Sequence, residues 1–152
     1  MGETVLLVRK LSQWHDVISG IPKGSIIGPL LFIIYINDLP DFFKDLYTRL
    51  FIYADDTKLY RHILNGEDYD NQQNDIHMLK NWAGESLLKL NVEKCYGMTY
   101  SHLCNYRYYI VNCNVQYELT KVDSVNDLGV RFDSKLAFLD HMNDKVYKAY
   151  SV

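Results

Sequence analysis

Two adjacent aspartates, Asp55 and Asp56, interrupt a stretch that is otherwise rich in apolar residues, from Arg49-Leu50-Phe51-Ile52-Tyr53-Ala54 to Thr57-Lys58-Leu59-Tyr60. Apolar flanks draw such a segment into a core, where the two carboxylates then meet. Like charges one residue apart repel, and burying either one unpaired is costly. A fold accepts that cost when something positive offsets it, and a divalent metal ion is the usual candidate. Residues 49–53 and 57–61 read as two strands joined by a tight turn at the aspartates. Side chains alternate along a strand, so the two carboxylates diverge unless the turn rotates one of them. Taken alone, the pair better suits an ordinary surface turn, because aspartate is a common turn former.

The bulk of the chain narrows the class. Its 152 residues make one domain of ordinary size, and 48% hydrophobic residues can bury a core. A net charge of −3 does not mark a nucleic-acid binder, although an acidic body can carry a local basic groove. Tyrosine dominates the aromatic content and suits half-buried strands. Cys95, Cys104 and Cys113 are odd in number and lack zinc-knuckle spacing, even with His102 near Cys104, so they read as free thiols. The apolar run Val5 to Val8 is too short for a signal sequence, and Ile26 to Ile36 falls short of the ~20 residues that span a bilayer. A soluble intracellular protein, cytoplasmic or nuclear, is expected.

The pattern along the chain predicts an α+β organisation with hairpins. The first dozen residues suggest a strand or a frayed start. Ser19 to Ser25 is a loop, Ser25 caps the segment after it, and Pro29 suits a first helical turn. Residues 30–39 then read as a helix apolar on nearly all sides, hence buried, and ended by Pro40. Residues 65–68 read as a loop. From about Tyr69 to Leu88 the pattern is helical, with Ile76, Leu79, Ala83 and Leu87 on one face and polar residues between. Short strands are predicted at 96–100, 106–111 and 115–119, with a turn at 112–114. Another is predicted at 127–132, and a final helix from about Leu139 to the end.

Four motifs, in order, carry a resemblance. Tyr53-Ala54-Asp55-Asp56 resembles the catalytic hairpin of reverse transcriptases. Ser19-Gly20-Ile21-Pro22-Lys23-Gly24-Ser25 and the helix after it, continued by Tyr35-Ile36-Asn37-Asp38-Leu39-Pro40, resemble the loop-helix motif that precedes that hairpin. Leu90-Asn91-Val92-Glu93-Lys94-Cys95 resembles the lysine-bearing motif. Asp127-Leu128-Gly129-Val130, with Phe138 and His141, resembles the primer grip and the segment leading to the thumb. The wording is closest to the non-LTR, LINE-type, jockey-like retrotransposon branch, and the match runs from about Ser12 to Ala149.

The resemblance implies a partial right-hand polymerase palm, a catalytic β-hairpin packed against helices, with fingers and thumb largely missing. Residues 19–100 would be palm, and 101–152 its end and the start of the thumb. Asp55 would ligate catalytic Mg2+, with Mn2+ as a substitute, and Asp56 would support it. Tyr53 and Ala54 would lie near the primer end or incoming nucleotide. Gly20, Pro22, Lys23, Gly24 and Ser25 would line the nucleotide and template side, where glycine lets backbone approach a ligand closely. Lys94 would sit near the leaving pyrophosphate, and Leu128 and Gly129 would form the primer grip. The implied partners are an RNA template, a DNA primer and deoxynucleotides.

Three departures shape the expectation for this chain. The family's other catalytic aspartate belongs on an upstream strand. Asp16 stands directly before the loop, away from such a strand and without the Ala-Phe-Asp pattern expected to follow. The two-metal site is therefore expected to be half complete, and the chain inactive by itself. Lys23 stands where glutamine is usual and cannot reproduce a two-sided amide hydrogen bond. Ser86 and Leu90 replace aromatic residues often seen after Trp82. Two other readings stay open: a non-catalytic relic or domesticated module that binds nucleic acid or protein, and an unrelated metal-dependent phosphodiesterase. The latter lacks an accompanying His/Asp cluster.

Overall fold

The computed structural model describes residues 2–3, 6–7, 10–11, 15–16, 20, 24–43, 47–100, 106–112 and 115–151. The chain divides into two compact units, one of residues 1–44 and 50–58, the other of residues 45–49 and 59–152.

In the first unit, β1 (Gly2–Glu3) pairs antiparallel with β4 (His15–Asp16), and β2 (Leu6–Leu7) with β3 (Lys10–Leu11). Asp16 therefore lies on a strand, opposite Gly2, which corrects the expectation that it stands off one. Helix α1 spans Gly28–Tyr35 and admits Pro29 in its first turn, where a missing N–H costs nothing. Its N-cap is Ile27 without a side-chain cap, so Ser25 does not cap it. The helix stops five residues before Pro40, which instead lies in a 3-10 turn, Leu39–Phe42. Nor is α1 buried: Leu30, Leu31, Ile33 and Ile34 are 47–64% exposed. An all-apolar helix is buried only where further layers cover every side of it, and the described residues do not supply them here. Leu39, beyond the helix, is the most buried large side chain among the described residues.

Strands β5 (Thr48–Tyr53) and β6 (Asp56–Arg61) form the hairpin that carries the aspartates. Thr48, Leu50 and Ile52 face inward in alternation with exposed Arg49, Phe51 and Tyr53.

The second unit is organised on α2 (Gly66–Glu85), which begins three residues before the sequence pattern turns helical. The reason is a capping box: the Asp68 N–H donates to Asn65 Oδ1 at 2.9 Å, while Asp68 Oδ2 accepts from the Asn65 N–H at 3.2 Å. Asn-Gly-Glu-Asp is a helix start rather than a loop. The helix ends at Glu85, short of Leu88, in a Schellman motif. The Leu88 N–H reaches the Ala83 carbonyl at 2.8 Å and the Leu87 N–H the Gly84 carbonyl at 3.2 Å, with Leu87 left-handed at φ 54°. Leu87 thereby leaves the apolar face it was expected to share and is exposed, while Ile76 and Ala83 are buried with Trp82.

Helix α2 docks on the hairpin of β8 (Tyr109–Asn112) and β9 (Val115–Glu118), whose register runs from Tyr109↔Glu118 to Asn112↔Val115. Gln73 makes the docking specific. Its Oε1 accepts from the Tyr109 N–H at 2.9 Å, and its Nε2 donates to the Tyr109 carbonyl at 2.8 Å, the pairing a neighbouring strand would make. Tyr69 stacks on Tyr106 at 4.5 Å, and its hydroxyl donates to the Arg107 carbonyl at 2.6 Å. The strand expected at 106–111 begins at Tyr109, and the one expected at 96–100 is confined to β7 (Tyr96–Gly97), which pairs in parallel with β10 (Thr120–Lys121). Residues 113–114 of the expected turn lie outside the described residues.

Residues 127–132 are not one strand. Strands β11 (Ser124–Asp127) and β12 (Val130–Asp133) pair antiparallel around Leu128-Gly129, both at positive φ (47° and 83°). That is the φ signature of a type I′ turn, which matches strand twist. Helix α3 (Leu139–Tyr150) comes next. Asp133 organises the entry to it: Oδ1 accepts from the Lys135 and Ala137 N–H groups at 3.0 and 3.1 Å, and Oδ2 from the Phe138 N–H at 2.7 Å. Phe138 packs edge-on against Phe132, 5.5 Å between centroids.

The least replaceable interaction is a buried carboxylate. Asp75 Oδ2, on α2, accepts from Thr48 Oγ1 at 2.5 Å and from the Arg61 guanidinium at 3.2 Å. Thr48 opens β5 and Arg61 closes β6, so one carboxylate fastens both strands at the base of the hairpin to the helix. All three residues are buried. Asp75→Ala removes the shared acceptor and is expected to cost about 3 kcal/mol of stability by urea denaturation. Replacing Asp75 and Arg61 together by Leu and Met should cost less than Asp75→Ala alone, since no buried charge is stranded.

A second expectation concerns pH. The Asp133 carboxyl is held below the ordinary carboxylate value by the Ala137 and Phe138 N–H groups, partly offset by desolvation, with a smaller contribution from the N–H and charge of Lys135. A lowered native value adds stability that is present above the unfolded value, about 3.9, and lost as pH falls through the native value. Asp133→Asn should therefore lower the urea midpoint at about pH 7. It should also show a smaller further drop than the parent on acidification to about pH 2.

Candidate functional site

Ala54 and Asp55 form the two-residue turn between β5 and β6, and Asp56 opens β6. Ala54 is left-handed at φ 49°. A non-glycine residue there is uncommon, and such strain collects at functional positions. Asp55 and Asp56 are both exposed, so they are not buried between their apolar flanks as the sequence pattern suggests. A two-residue turn ends the alternation of the strands, and its tip lies beyond the last inward-facing pair. The carboxylates thus avoid the desolvation cost and stay open to a ligand. Tyr53, beside them, is 61% exposed.

Exposed carboxylate oxygens are the donors that a hard divalent cation takes. Asp55 and Asp56 offer two carboxylates of that kind. Among the described residues no group of three or more His, Cys, Asp or Glu side chains gathers to complete a site. No helix among them is long and apolar enough to cross a membrane.

The remaining candidates sit on other elements. Gly20 and Gly24 both adopt φ 86°. Nothing lies within 4 Å of a Cβ built at either position, so among the described residues glycine is required there by backbone conformation rather than by crowding. Ser25 is half-buried. Pro22 and Lys23 lie outside the described residues, as do Cys104, Cys113 and His102. Lys94 is exposed at the end of a 3-10 turn, Val92–Lys94, in the second unit. The Cys95 Sγ donates to the Asn91 carbonyl at 3.3 Å, and burial pushes its thiol up. Leu128 and Gly129 are exposed at the tip of the β11–β12 hairpin. There the Arg131 N–H donates to His141 Nδ1 at 3.1 Å, tying α3 to β12.

Asp75 and Arg61 support the hairpin, yet neither stands out in the sequence. The one signal is an aspartate next to Ile76 on the buried face of α2, where a charge must be paired. Gln73 carries no comparable signal.

Residues 4–132 match the profile of the reverse transcriptase (RNA-dependent DNA polymerase) family. The chain is 29% identical over 139 residues to the probable RNA-directed DNA polymerase from transposon X-element of Drosophila melanogaster. That match covers 88% of this chain and 15% of the relative. No solved structure gives a significant match. With the four motifs in order and the family profile spanning most of its length, the chain belongs to the reverse transcriptase family.

Proposed function

We propose that this chain is a palm segment of a retrotransposon reverse transcriptase of the LINE type, and that Asp55 and Asp56 are its metal-binding carboxylates. The observation that carries the reading is the hairpin tip: two exposed carboxylates at a strained two-residue turn, within a chain of this family. The reaction is attack of a primer 3′-hydroxyl on the α-phosphate of a deoxynucleotide, templated by RNA. A divalent ion, Mg2+ or Mn2+, supplies charge stabilisation at the reacting phosphate when bound.

The chain's own residues take the remaining roles. Asp55 and Asp56 hold the cation through carboxylate oxygens. Tyr53 and Ala54 border the primer end. The loop through Gly20, Pro22, Lys23, Gly24 and Ser25 lines the nucleotide and template side, with backbone turned by its two left-handed glycines. Lys94 offsets charge on the leaving pyrophosphate or gives it a proton. Leu128 and Gly129 contact the primer. The working compartment is the cytoplasm or nucleus.

The test is primer extension on an RNA template by a polymerase carrying this segment, with Mg2+ or Mn2+. Asp55→Ala should lower extension by at least about 10²-fold, and Lys94→Ala by less, since a lost cation contact leaves the metal carboxylates in place. Equal extension by parent and Asp55→Ala would remove Asp55 from the site.

A further inference from the structure

A cleft of about 270 Å³ opens between α2 and β8, lined by His77, Lys80, Asn81 and Val111. It lies within the second unit and involves no residue of the β5–β6 hairpin. Gln73 determines its chemistry. The Tyr109 N–H, 2.9 Å away, must meet the amide oxygen, which fixes the orientation of the Gln73 side chain. Its Nε2 then donates to the Tyr109 carbonyl and faces His77 Nε2 at 2.9 Å. An amide nitrogen cannot accept, so His77 Nε2 is the acceptor and the ring proton sits on Nδ1. The one polar valence His77 retains is therefore a donor.

Lys80 adds an ammonium group that forms no ion pair with a described residue, and Asn81 adds a carboxamide. Among the described residues no carboxylate lines the cleft. A metal cation is disfavoured, because the imidazole acceptor is taken and the ammonium repels it. The space is ample for a small hydrated anion. It is below the roughly 300–1,000 Å³ of pockets that enclose a drug-sized ligand. We propose that this cleft binds a phosphate group, through the His77 Nδ1–H, the Lys80 ammonium and the Asn81 amide. Free phosphate and the phosphodiester of a nucleic acid share that chemistry. The site does not depend on the polymerase reading.

The test is a titration of the 152-residue chain, 15N-labelled at histidine, followed at the His77 ring nitrogens at constant ionic strength set with chloride. One arm uses inorganic phosphate and the other a short oligothymidylate without terminal phosphate. A saturable shift with phosphate is expected. Lys80→Gln should weaken it about tenfold, the loss of one charged hydrogen bond. Asn81→Asp, which places a carboxylate in the cleft, should abolish it. Saturation in the phosphate arm alone supports a free-phosphate site, and saturation in the oligothymidylate arm supports a phosphodiester site. Absence of saturation in both arms overturns the proposal, as does either variant titrating like the parent.

Discussion

A single buried carboxylate, Asp75, fastens the two ends of the β5–β6 hairpin to helix α2. The base of the β5–β6 hairpin and helix α2 meet where Thr48 and Arg61 both donate to its Oδ2. A charge in that position has to be paired, and that requirement gives the contact its specificity. Apolar packing alone would let the helix slide along the strands, because hydrophobic contact has no direction. Two donors from the outer ends of two different strands fix both strands at once. From the same helix, Gln73 repeats the principle on β8, where its amide stands in for a missing backbone neighbour.

The second recurring device is positive φ at tight connections. Ala54 before the aspartates, Leu87 after α2, and Leu128 at the β11–β12 tip are all left-handed without being glycine. Each is imposed from outside: a two-residue hairpin and a Schellman motif both demand that backbone region. At Ala54 the strained residue directly precedes the candidate metal ligand. The short connection sets Asp55 in the turn and Asp56 at the very start of β6, where both are exposed.

Much of the candidate site was legible in the sequence because it is local. Tyr53 to Asp56 announce a hairpin through composition and turn chemistry, whereas the loop-like composition of Asn65 to Asp68 conceals a capping box. Errors gathered where the outcome depended on distant partners. An apolar run at 30–39 reads as buried, but burial needs a covering layer that the run cannot specify. Residues 127–132 read as one strand because Leu128 is a poor turn residue on paper. It becomes one when Asp127 and Val130 pair across it. Asp75 looks like one more solvated polar residue of α2 until Thr48 and Arg61, 27 and 14 residues away, are brought to it.

By itself the sequence determined the family, the hairpin and the identity of its two carboxylates, because motif order and turn chemistry are written along the chain. Only the tertiary structure decided which charge is buried and which is free. Asp55 and Asp56, set between apolar strands, are exposed because a two-residue turn carries them past the packed residues. Asp75, preceded by the polar run Asn71 to Asn74, is buried because two donors from separate strands converge on it. Proximity in sequence sets turns and caps, whereas burial of charge depends on partners that only folding supplies.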